Sequence, residues 1–156
     1  MTNSIEYAGF IRNSTADGPG IRSVFFFQGC SRNCPECHNS DISVHGNGKN
    51  ISVENAVSLI EANCRNRCIT ISGGEPLEQP EALRSLLHIL HERNYNICLY
   101  TGNSFEDVPA DILEKLNYIK TGSFVRSLRD GTNHYAGSSN QHMYSIVDGN
   151  IGELIA

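Results

Sequence analysis

A chain of 156 residues, 39% of them hydrophobic, is long enough to bury a core, and one domain over residues 1–156 is expected. Twelve basic against seventeen acidic side chains give a formal charge of −5, and no lysine–arginine run marks a nucleic-acid or membrane surface. No apolar stretch approaches membrane-spanning length and the opening Met1-Thr2-Asn3-Ser4-Ile5-Glu6 is unlike a signal peptide, so a cytoplasmic protein is expected.

Residues 4–12 are expected to hold a short edge strand. Asp17-Gly18-Pro19-Gly20-Ile21-Arg22 is a turn signal that feeds the apolar, aromatic run Ser23-Val24-Phe25-Phe26-Phe27-Gln28, which predicts a buried strand. Directly after it come Cys30, Cys34 and Cys37, three of six cysteines in a C-x3-C-x2-C arrangement. In a reducing compartment such cysteines point to metal or redox chemistry rather than disulfides. Soft thiolates suit iron–sulfur clusters, zinc or copper(I). Three thiolates around a cubane would leave one iron without a protein ligand, whereas a closed cluster or a structural zinc takes four ligands. A zinc knuckle completed by His38 is the plainer alternative.

Residues 40–52 are polar and contain glycine, which predicts an exposed loop. Ser52 is placed to cap a helix over 53–63, where Val53, Ala56, Val57 and Ile60 follow the i, i+3, i+4, i+7 spacing of one buried face. Cys64 and Cys68 form a second C-x3-C pair, but no further ligands follow them, and ordinary partly buried thiols are expected. The β-branched run at 68–72 predicts a strand that ends in Gly73-Gly74-Glu75-Pro76. Paired glycines at a strand's carboxyl end let backbone approach a ligand closely, at the edge where α/β folds place their sites. Pro80 opens a helix through about residue 93 with Leu83, Leu86, Leu87 and Leu90 inward, and leaves His88 and His91 on a solvated face. A strand at 96–100 ends in Thr101-Gly102-Asn103. Pro109 begins another helix with Ile112, Leu113 and Leu116 inward, and a strand at 118–121 ends at Gly122. The last residues, 148–156, read as a short tail. Repeated strand–helix units predict a parallel α/β fold, an open sheet or part of a barrel, since a complete eight-stranded barrel takes about 250 residues.

The cysteine loop resembles that of the radical S-adenosylmethionine (SAM) enzymes, in which the open iron chelates the amino and carboxylate groups of SAM. The order DGPGIR, FFFQGC, cysteines, His38-Asn39 resembles the opening of the activating enzymes of glycyl-radical proteins. Gly137-Ser138-Ser139-Asn140-Gln141 and the spacing before it resemble the activating proteins of anaerobic (class III) ribonucleotide reductase, over roughly residues 9 to 147. Two departures stand out. Glu36 replaces the aromatic residue that many radical SAM loops carry before the third cysteine, as is common among the reductase activators. Thr121-Gly122 stands where that family usually has Asp-Gly.

The resemblance implies an α/β fold, an incomplete TIM-like β/α barrel of the radical SAM type with mostly parallel strands. It implies Cys30, Cys34 and Cys37 as ligands of a 4Fe–4S cluster, and Glu36, Cys37, His38, Gly73, Gly74 and Glu75 around SAM. It implies reductive cleavage of SAM to methionine and a 5′-deoxyadenosyl radical, with no general base or nucleophile of the protein's own. That radical would generate a glycyl radical on the large subunit of the anaerobic reductase, with a flavodoxin-like external reductant supplying the electron. GSSNQ and residues 122–136 would then offer contacts to SAM or partner, or a turn that closes the sheet. The activators of pyruvate formate-lyase are the second reading, toward which the DGPGIR and FFFQGC stretches lean. A radical SAM catalyst on a small molecule and a non-enzymatic zinc- or cluster-binding module are readings from other classes.

Overall fold

A computed structural model describes residues 4–31, 44–130 and 135–156. Among the described residues the chain runs β1 (Ser4–Ser14), β2 (Arg22–Phe27), β3 (Lys49–Ser52), α1 (Val53–Asn63), β4 (Cys68–Gly73), α2 (Pro80–Glu92), β5 (Asn96–Tyr100), α3 (Ala110–Leu113), β6 (Tyr118–Thr121), β7 (His142–Val147) and β8 (Asn150–Leu154). The strands form one sheet in the order β3-β1-β2-β4-β5-β6-β7-β8. Its centre, β2-β4-β5-β6, is parallel. Both flanks, β3-β1-β2 and β6-β7-β8, are antiparallel. The expectation of mostly parallel strands is therefore corrected to a mixed α/β sheet.

The cause lies in the connections. A parallel pair needs a crossover, and the segments carrying α1, α2 and α3 supply one each. No α-helix separates β6 from β7 among the described residues, and the chain turns back beside β6, with Thr121 opposite His142. Between β7 and β8 only Asp148 and Gly149 intervene, both at positive φ (52° and 80°), the backbone of a tight hairpin. The expected tail at 148–156 is thus mostly strand. At the other flank, β1 is not an edge: its eleven residues pair with β2 on one side and β3 on the other. β3 itself lies within the expected loop at 40–52.

The helices form where the apolar stripes placed them. Ser52 Oγ accepts the Asn55 amide at 3.0 Å and caps α1, whose Val53, Ala56, Val57 and Ile60 are buried. On α2, Leu83, Leu86, Leu87 and Leu90 are buried. Burying one such leucine is worth roughly 2 kcal/mol, against a few tenths for helix propensity, so packing decides the helix. These stripes cover Phe25, Phe27, Ile69, Ile71, Ile97, Leu99 and Ile119, which alternate along the sheet and form the main core. α3 is a single turn, because its backbone tightens to Lys115→Ile112 and Leu116→Leu113 bonds before Asn117 joins β5. The face away from the helices carries Cys98, Tyr100 and Met143. No helix among the described residues is long and apolar enough to cross a membrane.

The DGPGIR block closes the amino edge of the parallel strands. Arg22, 1% exposed, donates from Nε to Thr70 Oγ1 (3.0 Å), from Nη1 to the Pro19 carbonyl (3.2 Å), and from Nη2 to the carbonyls of Ile69 (3.0 Å) and Asn96 (2.9 Å). Gly18, at φ 125°, lets the turn lie against the arginine stem. Arg22→Leu strands buried acceptors on three segments and is expected to cost roughly 3 kcal/mol. Urea denaturation should show a lower midpoint at unchanged slope.

Candidate functional site

The carboxyl ends of the four parallel strands carry Gln28-Gly29-Cys30, Gly73-Gly74-Glu75, Thr101-Gly102-Asn103 and Gly122-Ser123. Hydrogen bonds join these ends into a continuous rim. The Gly74 amide donates to the Phe27 carbonyl (3.0 Å) and the Glu75 amide to the Gly29 carbonyl (2.8 Å), which sews the double-glycine loop to the root of the cysteine loop. Both contacts require glycine. Gly73 holds φ 126°, and a Cβ there would overlap the backbone of Phe27. A Cβ on Gly74 would overlap the Gly29 carbonyl and come within 3.1 Å of Cys30 Cβ.

Glu75 continues the rim. Its carboxylate, on a side chain 2% exposed, accepts from Thr101 Oγ1 (3.0 and 2.9 Å), from the Gly102 amide (2.8 Å) and from the Leu77 amide (3.0 Å). The side chain is therefore committed to tying β4 to β5. Further along, the Gly122 amide donates to the Asn103 carbonyl (3.0 Å) and Ser123 Oγ to the Gly102 carbonyl (3.0 Å).

The GSSNQ block closes this rim from within. Gln141 donates from Nε2 to the Gly122 carbonyl (3.0 Å), and its Oε1 accepts the amides of Gly137 (2.8 Å) and Ser138 (3.2 Å). Asn140 Nδ2 donates to the Ser123 carbonyl (2.8 Å), and Ser138 Oγ to Asn140 Oδ1 (2.6 Å). These bonds place Ser138, Asn140 and Gln141 in a turn that closes the sheet.

Of the predicted site residues, the rim brings together Cys30, Gly73, Gly74 and Glu75. Cys34, Glu36, Cys37 and His38 lie outside the described residues. Among the described residues no group of three or more His, Cys, Asp or Glu side chains is placed to hold a metal. Cys64 Sγ donates to the Cys68 carbonyl at 3.3 Å, beside the amino edge of β4 and far from the rim. Cys98 is fully buried, and burial pushes its thiol up to about 12 despite Arg22 and Lys120 nearby, so it stays protonated. His88 and His91 are exposed on α2.

Sequence reasoning missed Gln28, Gln79, Glu6, His45 and Glu78. Gln79 precedes α2 without capping it; its amide donates to the carbonyls of Glu6 (3.0 Å) and Gln28 (3.1 Å) and accepts the Glu6 amide (2.9 Å). No local pattern announces such a residue, because its partners are strands distant in sequence.

The donor set and cradle fit an iron–sulfur group: a soft sulfur ligand stands at the strand end, and side-chain-free backbone lies against its root. Comparison with known proteins agrees. A family model described as a 4Fe-4S single cluster domain matches residues 16–144. The chain is 36% identical over 105 residues to the pyruvate formate-lyase-activating enzyme of Clostridium pasteurianum, a match covering 64% of this chain and 42% of that protein. It is 28% identical over 141 residues to the anaerobic ribonucleoside-triphosphate reductase-activating protein of Escherichia coli (strain K12), covering 83% and 92%. The match thus spans under half the length of the first relative and most of the second. The crystal structure of QueE from Escherichia coli shares the fold, with a TM-score of 0.53 at 16% identity over 76% of this chain and 70% of that one.

Proposed function

This chain belongs to the 4Fe-4S single cluster domain family, and from that premise we propose that it is a radical SAM activase. It generates a glycyl radical on the large subunit of anaerobic ribonucleoside-triphosphate reductase. The observation that carries this reading is the seam between the two loops that such chemistry needs. Through the Gly74→Phe27 and Glu75→Gly29 bonds, the root of the thiolate loop and the double-glycine backbone form one unit.

In this reading Cys30, Cys34 and Cys37 hold the 4Fe–4S cluster, and backbone at Glu36, Cys37, His38, Gly73, Gly74 and Glu75 surrounds SAM. A cluster held there would supply one-electron reduction of the SAM sulfonium, with a flavodoxin-like protein as the external reductant. The chain's own residues orient and exclude. Gly73 and Gly74 let the double-glycine backbone lie directly against Phe27 and Gly29, at the root of the thiolate loop. Glu75, spent on Thr101 and Gly102, fixes that backbone against β5 so that a reacting carbon meets its target at near-attack range. The Gln141–Gly122 and Asn140–Ser123 bonds brace the far side of the mouth. We read the parallel centre of the sheet as an incomplete barrel, the whole chain as one domain, and the setting as cytoplasmic.

Identity favours the pyruvate formate-lyase activators (36% against 28%), whereas the reach of the match along this chain favours the reductase activators (83% against 64%). The reductase activator is also matched over nearly its whole length (92% against 42%), and the reductase reading follows the reach. The test is electron paramagnetic resonance on the anaerobically reconstituted chain with SAM, reductant and either large subunit. A glycyl radical is expected on the reductase. A radical on pyruvate formate-lyase alone moves the assignment to that partner, and no radical on either sinks the activase.

A further inference from the structure

The cysteine loop leaves the sheet at Gln28–Ser31 and returns at 44–48, and these two flanks are fastened to each other and to the sheet. Gln28 Nε2 donates to the Val44 carbonyl at 2.7 Å. The His45 ring occupies the space that a side chain on Gly29 would take. Glu78, in the turn after the double-glycine loop, receives both flanks on one carboxylate: the Ser31 amide (3.1 and 3.0 Å) and Ser31 Oγ (2.7 Å) from the outgoing flank, His45 Nε2 (2.9 Å) from the returning one. Glu6 of β1 holds the returning flank from behind, accepting the amides of Gly46 (2.6 Å) and Gly48 (3.0 Å), with His45 Nδ1 3.9 Å from its other oxygen.

We propose that Glu78 and His45 are positioning residues for the cluster, forming a clasp that keeps the neck of the cysteine loop closed before and after the cluster binds. The proposal rests on the reading that Cys30, Cys34 and Cys37 hold that cluster. Its physical basis is loop entropy. Thiolates on a segment whose ends are already joined sample fewer arrangements, so less ordering remains for the cluster to impose. The His45 side chain is half exposed (50%) and that of Glu78 a quarter exposed (25%), so the ion pair between them adds little to the stability of the whole chain. Burial works against the Glu78 carboxylate, but the Ser31 donors and His45 outweigh it and keep the group anionic below its ordinary value. Nothing in this arrangement touches the reaction itself; the clasp acts through the loop.

The test compares the reconstituted chain with Glu78→Ala, Glu78→Gln, His45→Ala and a control, Glu61→Ala, which breaks the remote Arg93–Glu61 pair (2.6 Å). Loss of visible charge-transfer absorbance is followed anaerobically in excess ferrous chelator, beside thermal melting of each apo chain. Outer-sphere partners of metal ligands typically contribute about 10–100-fold to retention, so Glu78→Ala is expected to release iron roughly tenfold faster. His45→Ala should release it several-fold faster, and Glu78→Gln, which keeps an acceptor for Ser31, should recover part of the loss. Apo melting should not change in any of them. Release at the wild-type and Glu61→Ala rate overturns the clasp while leaving the cluster reading intact. A fall in apo melting that tracks the release rates overturns it in favour of plain structural support. A wild-type chain that takes up no iron–sulfur cluster overturns both readings together.

Discussion

Cys34→Ala is expected to abolish both cluster and chemistry, with iron falling from about four per reconstituted chain to well below one and SAM cleavage falling below detection. The size of the effect follows from the number of ligands. A cubane held by three thiolates already presents one iron without a protein donor. Removing another leaves two irons without side chains, and a hard oxygen donor does not replace a soft thiolate. Anaerobic iron and sulfide analysis, together with 5′-deoxyadenosine release under dithionite, reads both losses at once. Cys64→Ala is the control, because its thiol bonds to the Cys68 carbonyl at the opposite edge of the sheet; it should keep full iron and full cleavage. A Cys34→Ala chain with unimpaired iron would mean that the ligand set is wrong, and one mole of tightly bound zinc in the wild type would favour the interaction-module reading.

How much of this was legible beforehand depended on whether a signal was local. α1 was readable because Ser52 and the Val53–Ala56–Val57–Ile60 stripe sit in one stretch, and α2 because four leucines do. The rim was partly readable, since turn glycines follow β4, β5 and β6 directly. What remained hidden needed knowledge of neighbours. Ser4–Ser14 reads as an edge strand because nothing within it shows that the four residues of β3 pair with its outer side. The β7–β8 hairpin has a local signal, Asp148-Gly149 between Tyr144-Ser145-Ile146-Val147 and Asn150-Ile151, but a weak one. The exposed side chains of β8 blurred the strand pattern. Glu78 and His45 were invisible for a different reason: a polar residue on a loop has no periodicity, and its meaning lies entirely in partners brought by the fold. The GSSNQ block shows the converse, a motif noticed for its resemblance whose Ser138, Asn140 and Gln141 turn out to hold the chain to itself.

Gly73→Ala should be among the most damaging single-methyl additions to this chain, because it combines a strained φ with a clash against backbone rather than against a side chain that can move. The first is conformational: at φ 126° a Cβ is strained whatever surrounds it. Gly20, at φ 77° with nothing within 4 Å of a built Cβ, isolates that cost, and Gly20→Ala is expected to lose about 1 kcal/mol. The second is steric. At Gly73 the added methyl meets the N, C and O atoms of Phe27, and paired backbone at the carboxyl ends of β2 and β4 cannot step aside as a flexible side chain can. Overpacking of that kind adds roughly 1–3 kcal/mol, so the sum comes to about 2–4 kcal/mol, a large share of a small domain's stability. The strain has one direction of relief, which is separation of β4 from β2 at their carboxyl ends. That movement lengthens the Gly74→Phe27 and Glu75→Gly29 bonds and draws the double-glycine loop away from Cys30. Urea denaturation should therefore show a much larger loss for Gly73→Ala than for Gly20→Ala, and the Gly73 variant that still folds should reconstitute poorly while the Gly20 variant reconstitutes normally. Equal losses at the two positions would mean that the strands yield freely there, and that the seam between the loops is not what sets the geometry of the site.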